Sequence, residues 1–244
     1  ILKVFDLDEL VIKIDRALEI RRGNLRKQAL EREYYCFENF VFNSEKGKKI
    51  NSDIIKHSKH DHTLLLLGET GTGKDIIAYQ IHKNSKRKNN IFRNLNLETL
   101  SSTLLESELF GYAEGAFTGA GKSRTGLLEI CDGGTLHISE FSSISLALQI
   151  KLLEFMQFKT IRKVGEDARV KPRRVDVRII LSTLEDPEKL LDSGNFREDL
   201  IGRIKVNTFN VPPLRDRLDD IDKMAPYFLS LHGLRDGREG VSFS

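Results

Sequence analysis

The chain has 244 residues, of which 39% are apolar and 31% charged, a composition typical of one soluble globular domain with appendages. The apolar run at 64–67 is far shorter than the ~20 residues that cross a bilayer, and no signal peptide opens the chain, so we expect a cytoplasmic protein without a membrane partner. The net charge of +3 is too small to indicate nucleic-acid binding, and Cys36 and Cys131 lack the spacing of a disulfide framework.

The first predicted element is an amphipathic helix near the start of the chain. Its acidic first turn is followed by apolar residues at helical spacing, namely Leu7, Leu10, Val11, Ile14 and Leu18. With Lys3 and Phe5-Asp6 before it, this segment resembles the last helix of a response-regulator receiver domain, in which proline stands at the position of Val4. The resemblance implies that residues 1–20 end a receiver domain. Residues 21–36 are predicted to form a charged linker helix, and the chain is expected to be part of a longer protein.

From about residue 37 the pattern changes to short apolar segments that alternate with helical ones. Strands are predicted over 62–67, 135–138 and 175–181, and helices over 75–82 and 147–157. Alternation of this kind predicts an α/β fold in which helices cover a parallel sheet.

A glycine-rich segment follows the first of these strands. Its residues are Gly68, Glu69, Thr70, Gly71, Thr72, Gly73, Lys74 and Asp75. The segment lies between an apolar strand and a helix, which is the context that a phosphate-binding loop requires. There, backbone N–H groups and the helix N-terminus hold phosphate oxygens, and Lys74 adds a positive charge. The alternative is a structural turn that leads into a helix.

A second segment of small residues contains a single aromatic side chain. It consists of Gly115, Ala116, Phe117, Thr118, Gly119 and Ala120. Glycines allow such a segment to extend as a mobile loop with Phe117 at its tip, where the ring is suited to contact a partner. The alternative is a tight hairpin with Phe117 packed in the core.

These segments, taken in order, resemble the sigma-54-dependent transcriptional activators, the NtrC-like branch of the AAA+ ATPases. The matching segments are 68–75, 104–111, 115–120, 132–136, 175–180, 196–200 and 212–217. The resemblance covers about 37–230. It implies an AAA+ P-loop NTPase core over 37–213, with a parallel sheet flanked by helices, and the truncated start of a small helical lid over 214–244.

The resemblance also implies cofactors and partners. The cofactors are ATP and Mg²⁺, and the Phe117 loop is expected to contact the sigma-54 RNA polymerase holoenzyme. Residues 161–167 are expected to form a second mobile loop beside it. The assembly is a homo-oligomeric ring, commonly a hexamer. DNA binding is expected only through a helix-turn-helix region that this chain does not contain.

Four further residues match positions with catalytic roles in the family. Glu140 matches the glutamate that activates the attacking water, and Asn96 matches the asparagine that controls it. Arg197 and Arg203 match two arginines that reach the nucleotide of the neighbouring subunit. The alternative for both arginines is a surface salt bridge on one helix.

Two positions depart from the family pattern. Where relatives read Leu-Phe-Leu-Asp-Glu, this chain reads Leu136-His137-Ile138-Ser139-Glu140, so a neutral serine replaces the acidic residue that helps to hold magnesium. Leu184 occupies the position of a polar residue that senses the γ-phosphate. A missing charge ~4 Å from a cation is worth ~1–4 kcal/mol, which predicts hydrolysis ~10–1000 times slower. Asp75 is a candidate to compensate through a metal-bound water.

Three functional hypotheses follow. The first is an ATP-driven remodeller of the sigma-54 complex, favoured by the intact loop. The second is a nucleotide-binding module with little or no hydrolysis, favoured by Ser139 and Leu184. The third is a decayed copy, which the intact loop and the two arginines oppose.

Other groups carry less information. His57, His60 and His62 crowd together but lack the partners and spacing of a zinc motif, and we expect them in the loop before the first strand. Cys131 has no implied histidine partner, so nucleophilic catalysis is not expected. The basic stretch 83–88 is expected to be a solvated loop.

Overall fold

The computed structural model describes residues 44–117, 120–222 and 224–225. The predicted receiver end at 1–20 and the linker at 21–36 lie outside these residues, as does nearly all of the lid beyond 225. Thr118 and Gly119 of the predicted partner loop also lie outside them.

Five parallel strands form the central sheet, and two pairs of short strands flank it. The strands are β1 (Leu64–Leu67), β2 (Phe92–Asn96), β3 (Gly111–Tyr112), β4 (Arg124–Thr125), β5 (Thr135–Ser139), β6 (Thr160–Ile161), β7 (Arg173–Arg174), β8 (Arg178–Thr183) and β9 (Thr208–Asn210). The order across the central sheet is β2-β5-β8-β1-β9, and every pairing in it is parallel. Strands β3 and β4 pair antiparallel, as do β6 and β7.

Seven α-helices have both ends within the described ranges, with several short 3₁₀ turns between them. The α-helices are α1 (Glu45–Ser58), α2 (Lys74–Lys83), α3 (Ser102–Phe110), α4 (Leu127–Ile130), α5 (Leu146–Phe158), α6 (Pro187–Asp192) and α7 (Glu198–Ile204). Serine or aspartate caps three of their N-termini: Ser44 accepts from the N–H of Gly47, Ser145 from Leu148, and Asp186 from Glu188. None of these helices combines the length and the apolar character needed to cross a bilayer.

The fold prediction from sequence is confirmed. The strands predicted at 62–67 and 135–138 are β1 and β5, and the helices predicted at 75–82 and 147–157 are α2 and α5. The strand predicted at 175–181 is β8, which begins at Arg178 rather than at residue 175. The central strands β5 and β8 are buried along their whole length, because helices cover both faces of a parallel sheet.

Two arginines are buried structural residues. Arg87, which the sequence placed in a solvated basic loop, is 8% exposed, so that prediction was wrong for this residue. Its guanidinium binds the Asp176 carboxylate through two contacts of 2.9 Å and the Asp61 carboxylate at 3.2 Å. Arg178 is 1% exposed and donates to the carbonyl oxygen of His57 in the last turn of α1. Burial lowers the pKa of Arg178 to about 10, so the side chain stays charged at neutral pH.

Candidate functional site

The carboxyl edge of the central sheet gathers residues from four strands. Leu67 of β1 pairs with Thr183 of β8, so the residues that follow, Gly68 and Leu184, lie at the same edge. Asn96 of β2 pairs with Ser139 of β5, immediately before Glu140. In open α/β sheets this edge is where ligands bind.

Residues 68–74 form a loop between β1 and α2 with the backbone that a phosphate-binding loop requires. Gly71 and Gly73 have φ of +82° and +88°, angles that favour glycine. A Cβ on Gly68 would lie 2.8 Å from the carbonyl oxygen of Val211, so the chain passes too closely there for a side chain. The Thr72 hydroxyl donates to the carbonyl of Glu69 at 2.8 Å, which closes the loop on itself.

Lys74 begins α2 and is largely buried at the base of this loop. Its Nζ donates to the carbonyl oxygens of Gly68 at 2.7 Å and Glu69 at 3.0 Å. Burial lowers the pKa of Lys74, while the charges of Glu140 and Asp75 oppose that shift. The ammonium therefore lies among loop carbonyls and within electrostatic reach of both carboxylates.

Two arginines that follow β9 in the sequence bind residues of this loop. Arg215 donates from Nη1 and Nη2 to the two carboxylate oxygens of Glu69 at 2.7 and 2.6 Å. Arg217, which is 3% exposed, donates to the carbonyl oxygen of Thr72 at 2.8 Å. The sequence comparison matched residues 212–217 to the family but gave these arginines no role. Their contacts assign them to the support of the loop.

Asp220 extends this support to the start of α1. One of its carboxylate oxygens accepts from the backbone N–H of Ser44 at 2.6 Å, and the other lies 3.8 Å from Nη1 of Arg217. Ser44 is the N-cap of α1. The beginning of α1, the segment after β9 and the phosphate-type loop are thus joined by successive polar contacts.

Glu140 follows β5 directly and has a left-handed backbone, with φ of 53° and ψ of 50°. This conformation is uncommon for a residue with a side chain, and such strain is often found at functional sites. Asn96 lies on the neighbouring strand, where its side-chain oxygen accepts from the N–H of Glu98 at 2.8 Å. Among the described contacts, no hydrogen bond joins Asn96 to Glu140, so control of the glutamate by Asn96 stays a prediction.

The two departures from the family pattern lie at this same edge. Ser139 is buried, and its hydroxyl is 3.5 Å from the side-chain oxygen of Asn94. Leu184 is half exposed at the end of β8, where it presents an apolar surface. The serine adds no charge, and the leucine adds no hydrogen-bonding group, beside the loop.

His137 is a polar residue of this region that the sequence reading did not assign. It lies in β5 with no exposed surface, its Nε2 is 3.0 Å from the Ser182 hydroxyl, and its Nδ1 is 3.6 Å from Oδ1 of Asp75. Burial, assisted by the charge of Lys74, lowers the pKa of His137 to about 3, so the ring is neutral. The sequence signal that could have identified His137 was a histidine between the apolar residues Leu136 and Ile138 of a predicted strand.

Arg197 and Arg203 lie on the surface at the start and in the last turn of α7. Arg197 forms a two-point ion pair with Asp199, at 3.0 and 2.7 Å. Arg203 makes a long contact of 3.4 Å with the carbonyl oxygen of Met156. In the described part of the chain neither is bonded to residues 68–75, so within one subunit they do not join the site.

The described residues of the 115–120 segment, 115–117 and 120, lie in the connection between β3 and β4. The N–H of Gly115 donates to the carbonyl of Ala120 at 2.9 Å, and the N–H of Ala120 donates to the carbonyl of Phe117 at 3.0 Å. Phe117 is 45% exposed and contacts the ring of Tyr112 edge-on, with centroids 5.0 Å apart. The hairpin alternative with Phe117 packed in the core is therefore wrong, because the ring lies on the surface.

Residues 161–167 lie directly beside this segment. The N–H of Ala113 donates to the carbonyl of Val164, and the N–H of Val164 donates to the carbonyl of Gly111, both at 2.9 Å. Gly165 has φ of +72°, and a Cβ there would lie 2.6 Å from the Cβ of Ala116. The two segments are thus in close backbone contact.

The donors at the sheet edge fit a magnesium nucleotide in charge and shape. The open backbone at Gly71, where a Cβ would meet nothing within 4 Å, leaves room for phosphate oxygens, and Lys74 supplies a cation. Oxygen ligands suit magnesium, and Asp75 and Glu140 provide carboxylates. Asp75 is about half exposed in the first turn of α2, so its carboxylate is accessible.

The remaining candidates form no second centre. His57 lies in the last turn of α1, not in a loop as predicted, and the rings of His60 and His62 stack with centroids 5.5 Å apart. Within residues 44–225 as described, no three metal-ligating side chains form a metal site. Burial raises the pKa of the Cys131 thiol to about 12, which keeps it protonated and unreactive.

Comparison with known proteins connects this geometry to a family. A model of the sigma-54 interaction domain matches residues 40–210. The Nif-specific regulatory protein of Enterobacter agglomerans is 44% identical over 205 residues, which are 84% of this chain and 39% of that protein. The Nif-specific regulatory protein of Azotobacter vinelandii is 42% identical over 232 residues, which are 94% of this chain and 44% of that protein.

A solved structure agrees. NtrX from Brucella abortus, crystallised in complex with ATP, is 30% identical with a TM-score of 0.73, and the match covers 96% of this chain and 49% of that chain. The chain therefore spans half or less of the length of these relatives. The family model covers all five strands of the central sheet, the loop after β1 and the 115–120 segment. The chain belongs to the sigma-54 interaction domain family and has the α/β AAA+ core of the sigma-54-dependent activators.

Proposed function

We propose that this chain is an ATP-binding AAA+ activator domain that uses ATP binding and hydrolysis to remodel the sigma-54 RNA polymerase promoter complex and so activates transcription. The observation that carries the proposal is the intact loop at 68–74, with Lys74 at its base and Glu140 at the same sheet edge. The ATP complex of NtrX, a relative of similar fold, supports nucleotide binding here. We also propose a ring, commonly a hexamer, in the cytoplasm.

The residues divide the work as follows. The N–H groups of the loop and Lys74 would bind the phosphates, and Asp75 and Glu140 would supply carboxylates to hold the magnesium. When bound, the magnesium nucleotide supplies a phosphoryl group that is transferred to water. Glu140 is placed to accept a proton from that water. Arg197 and Arg203 are exposed on α7, which suits arginines that act on the nucleotide of a neighbouring subunit.

The partner surface is the 115–120 segment. Phe117 is exposed and contacts Tyr112 of β3, and Ala116 lies against Gly165 of residues 161–167. A surface aromatic ring on a short two-stranded support is suited to dock into an apolar pocket of a partner. We therefore assign contact with sigma-54 to Phe117.

A second function is favoured by one specific observation. Ser139 and Leu184 place neither a charge nor a hydrogen-bonding group at positions where relatives carry an acidic and a polar residue. A binding module, in which ATP occupancy holds the loop without appreciable hydrolysis, accounts for both residues.

The test compares ATP turnover and ATP binding in the natural chain and in Ser139→Asp. A motor shows magnesium-dependent turnover in the natural chain, and Ser139→Asp raises it ~10–1000-fold, since the added charge is worth ~1–4 kcal/mol beside the cation. Ser52→Asp, on the exposed side of α1, is the matched control for added charge and leaves turnover unchanged. Tight ATP binding with turnover only in Ser139→Asp establishes the binding module and overturns the motor.

The partner assignment has its own test. Phe117→Ala is expected to abolish the binding of sigma-54 in a pull-down, because the ring supplies the apolar anchor. ATP binding is expected to stay within about twofold, because the described ring contact of Phe117 is with Tyr112 and not with residues 68–74. Phe158→Ala, which removes a 65% exposed ring from the end of α5, is the control. Equal loss in both variants contradicts a specific role for Phe117.

A further inference from the structure

Three polar side chains form a chain of contacts beneath the loop at 68–74. The Ser182 hydroxyl of β8 is 3.0 Å from Nε2 of His137 in β5, and Nδ1 of the same ring is 3.6 Å from Oδ1 of Asp75 in α2. His137 and Ser182 are fully buried, whereas the Asp75 side chain is about half exposed. Nδ1 of His137 is buried and has no hydrogen-bond partner within 3.5 Å in the described structure.

The chemistry of the three groups fixes the direction of these contacts. A neutral imidazole carries one proton, and its other nitrogen is an acceptor. A carboxylate only accepts, so an unprotonated Nδ1 would face Asp75 as a second acceptor. The serine hydroxyl rotates and is able to donate. The satisfying arrangement therefore has Ser182 donating to Nε2 and the N–H at Nδ1 directed at Asp75.

Asp75 is the solvent-accessible member of this series of contacts. Its distance of 3.6 Å to Nδ1 exceeds a hydrogen bond by a few tenths of an ångström, and rotation of a half-exposed carboxylate is enough to close it. An aspartate, a histidine and a serine in contact also occur in the catalytic triads of hydrolases, where the serine is the nucleophile. Ser182 has no exposed surface, so a substrate cannot reach its hydroxyl and that role is excluded. The remaining role for the contact is that His137 orients the Asp75 carboxylate.

We propose that His137 is a positioning residue that holds the Asp75 carboxylate toward the magnesium of a bound nucleotide. This inference rests on the proposed function. Ser139 brings no charge to the sheet edge, and the carboxylate of Glu69 is paired with Arg215. Asp75 and Glu140 are left as carboxylates with access to the cation, and the buried ring orients the first of them. His137 and Ser182 thus offset part of the effect of having a neutral serine, rather than an acidic residue, at position 139.

Amide substitutions separate the two nitrogens of the ring. His137→Asn retains a donor near the position of Nδ1, His137→Gln retains a polar group near Nε2, and His137→Phe retains neither. The readout is Mn²⁺ affinity in the presence of the non-hydrolysable analogue AMP-PNP, measured by electron paramagnetic resonance. AMP-PNP binding in EDTA is measured in parallel.

The expected result is a 10–100-fold loss of Mn²⁺ affinity in His137→Phe and in His137→Gln, the usual cost of removing a group that orients a metal ligand. His137→Asn restores the affinity to within about threefold. His82→Phe is the matched control, since His82 is a buried histidine on α2 whose Nδ1 is 3.0 Å from the Thr135 hydroxyl. Equal losses in the Asn, Gln and Phe variants overturn the proposal, because they indicate packing alone.

A nucleotide-free measurement separates this proposal from the proposed function. The ¹⁵N shifts of the His137 ring report which nitrogen is protonated. Protonation at Nδ1, with a shift that changes in Asp75→Asn, supports the contact even if AMP-PNP binds neither with Mg²⁺ nor in EDTA, a result that contradicts only the proposed function. Protonation at Nε2 overturns the proposal whether or not nucleotide binds.

Discussion

Single residues at the edge of the sheet differ in how strongly burial and neighbouring groups restrict their orientation and protonation. His137 is the most constrained, because it is fully buried between β8 and α2 and faces Ser182 and Asp75, with Lys74 close enough to act on it through its charge. Its pKa of about 3 lies far below the value of 6.5 that the group has in an unfolded chain. Folding therefore excludes a proton from this ring over that whole interval of pH.

This exclusion makes stability depend on pH. Between pH 6.5 and 3 the unfolded chain binds a proton at His137 and the folded chain does not, so acidification favours unfolding by about 1.4 kcal/mol per pH unit from this group. Above pH 6.5 the effect disappears. His137→Phe removes it, so the difference in unfolding free energy between the natural chain and the variant narrows as pH falls from 6.5 toward 4. Urea unfolding at several pH values measures this, and a constant difference contradicts it.

The sequence predicted residues with local signals better than residues that depend on strand register. The loop at 68–74 was predicted because its pattern is continuous in the sequence, whereas Glu140 was assigned only through the family resemblance. The contact of His137 with Ser182 joins two strands 45 positions apart, and periodicity does not give that pairing. Arg87 was placed in solvent for the same reason, since its partners Asp61 and Asp176 are distant in sequence.

Among the larger elements, residues 161–167 pack beside residues 111–117. Val164 is hydrogen-bonded to Gly111 and Ala113, and a Cβ on Gly165 would lie 2.6 Å from the Cβ of Ala116. The sequence predicted that they are neighbours through the family resemblance. It did not predict that a glycine is required for the contact.

Gly165→Ala tests this contact. At φ of +72° an alanine costs about 1 kcal/mol in backbone strain, and the overlap with Ala116 at 2.6 Å adds about 1–3 kcal/mol or displaces the loop. Gly194→Ala is the matched control, because Gly194 has the same φ and a Cβ there meets nothing within 4 Å. Thermal unfolding and sigma-54 binding are the readouts. Equal effects of the two variants contradict a tight contact between the segments.

For the whole molecule, the two halves of a complete site are expected on different subunits. Lys74 lies at the loop, whereas Arg197 is on the surface and is paired with Asp199 on its own helix. A guanidinium in an exposed pair is worth little to the folded monomer, so its substitution has little effect on stability. This leaves Arg197 available to a neighbour.

Mixing two inactive variants tests that arrangement. Lys74→Ala and Arg197→Ala are each expected to lose turnover, and a mixture regains part of it, because some interfaces then combine an intact loop with an intact arginine. The measurement is ATP turnover as a function of the mixing ratio. Arg169→Ala, which removes a 90% exposed arginine that is paired with Asp167 as Arg197 is paired with Asp199, serves as the control for loss of a surface charge. A mixture no more active than its components contradicts a shared site.

The contacts of Arg217 and Asp220 have a mechanical consequence. The loop at Thr72, the segment after β9 and the N–H of Ser44 are connected by successive polar contacts of 2.8, 3.8 and 2.6 Å. The N-cap of α1 and the segment after β9 are thus held at one place, within three contacts of the loop at 68–74. A displacement of Thr72 is thereby coupled, through Arg217 and Asp220, to the N-terminus of α1, so the loop and the first helix of the described core are expected to move together.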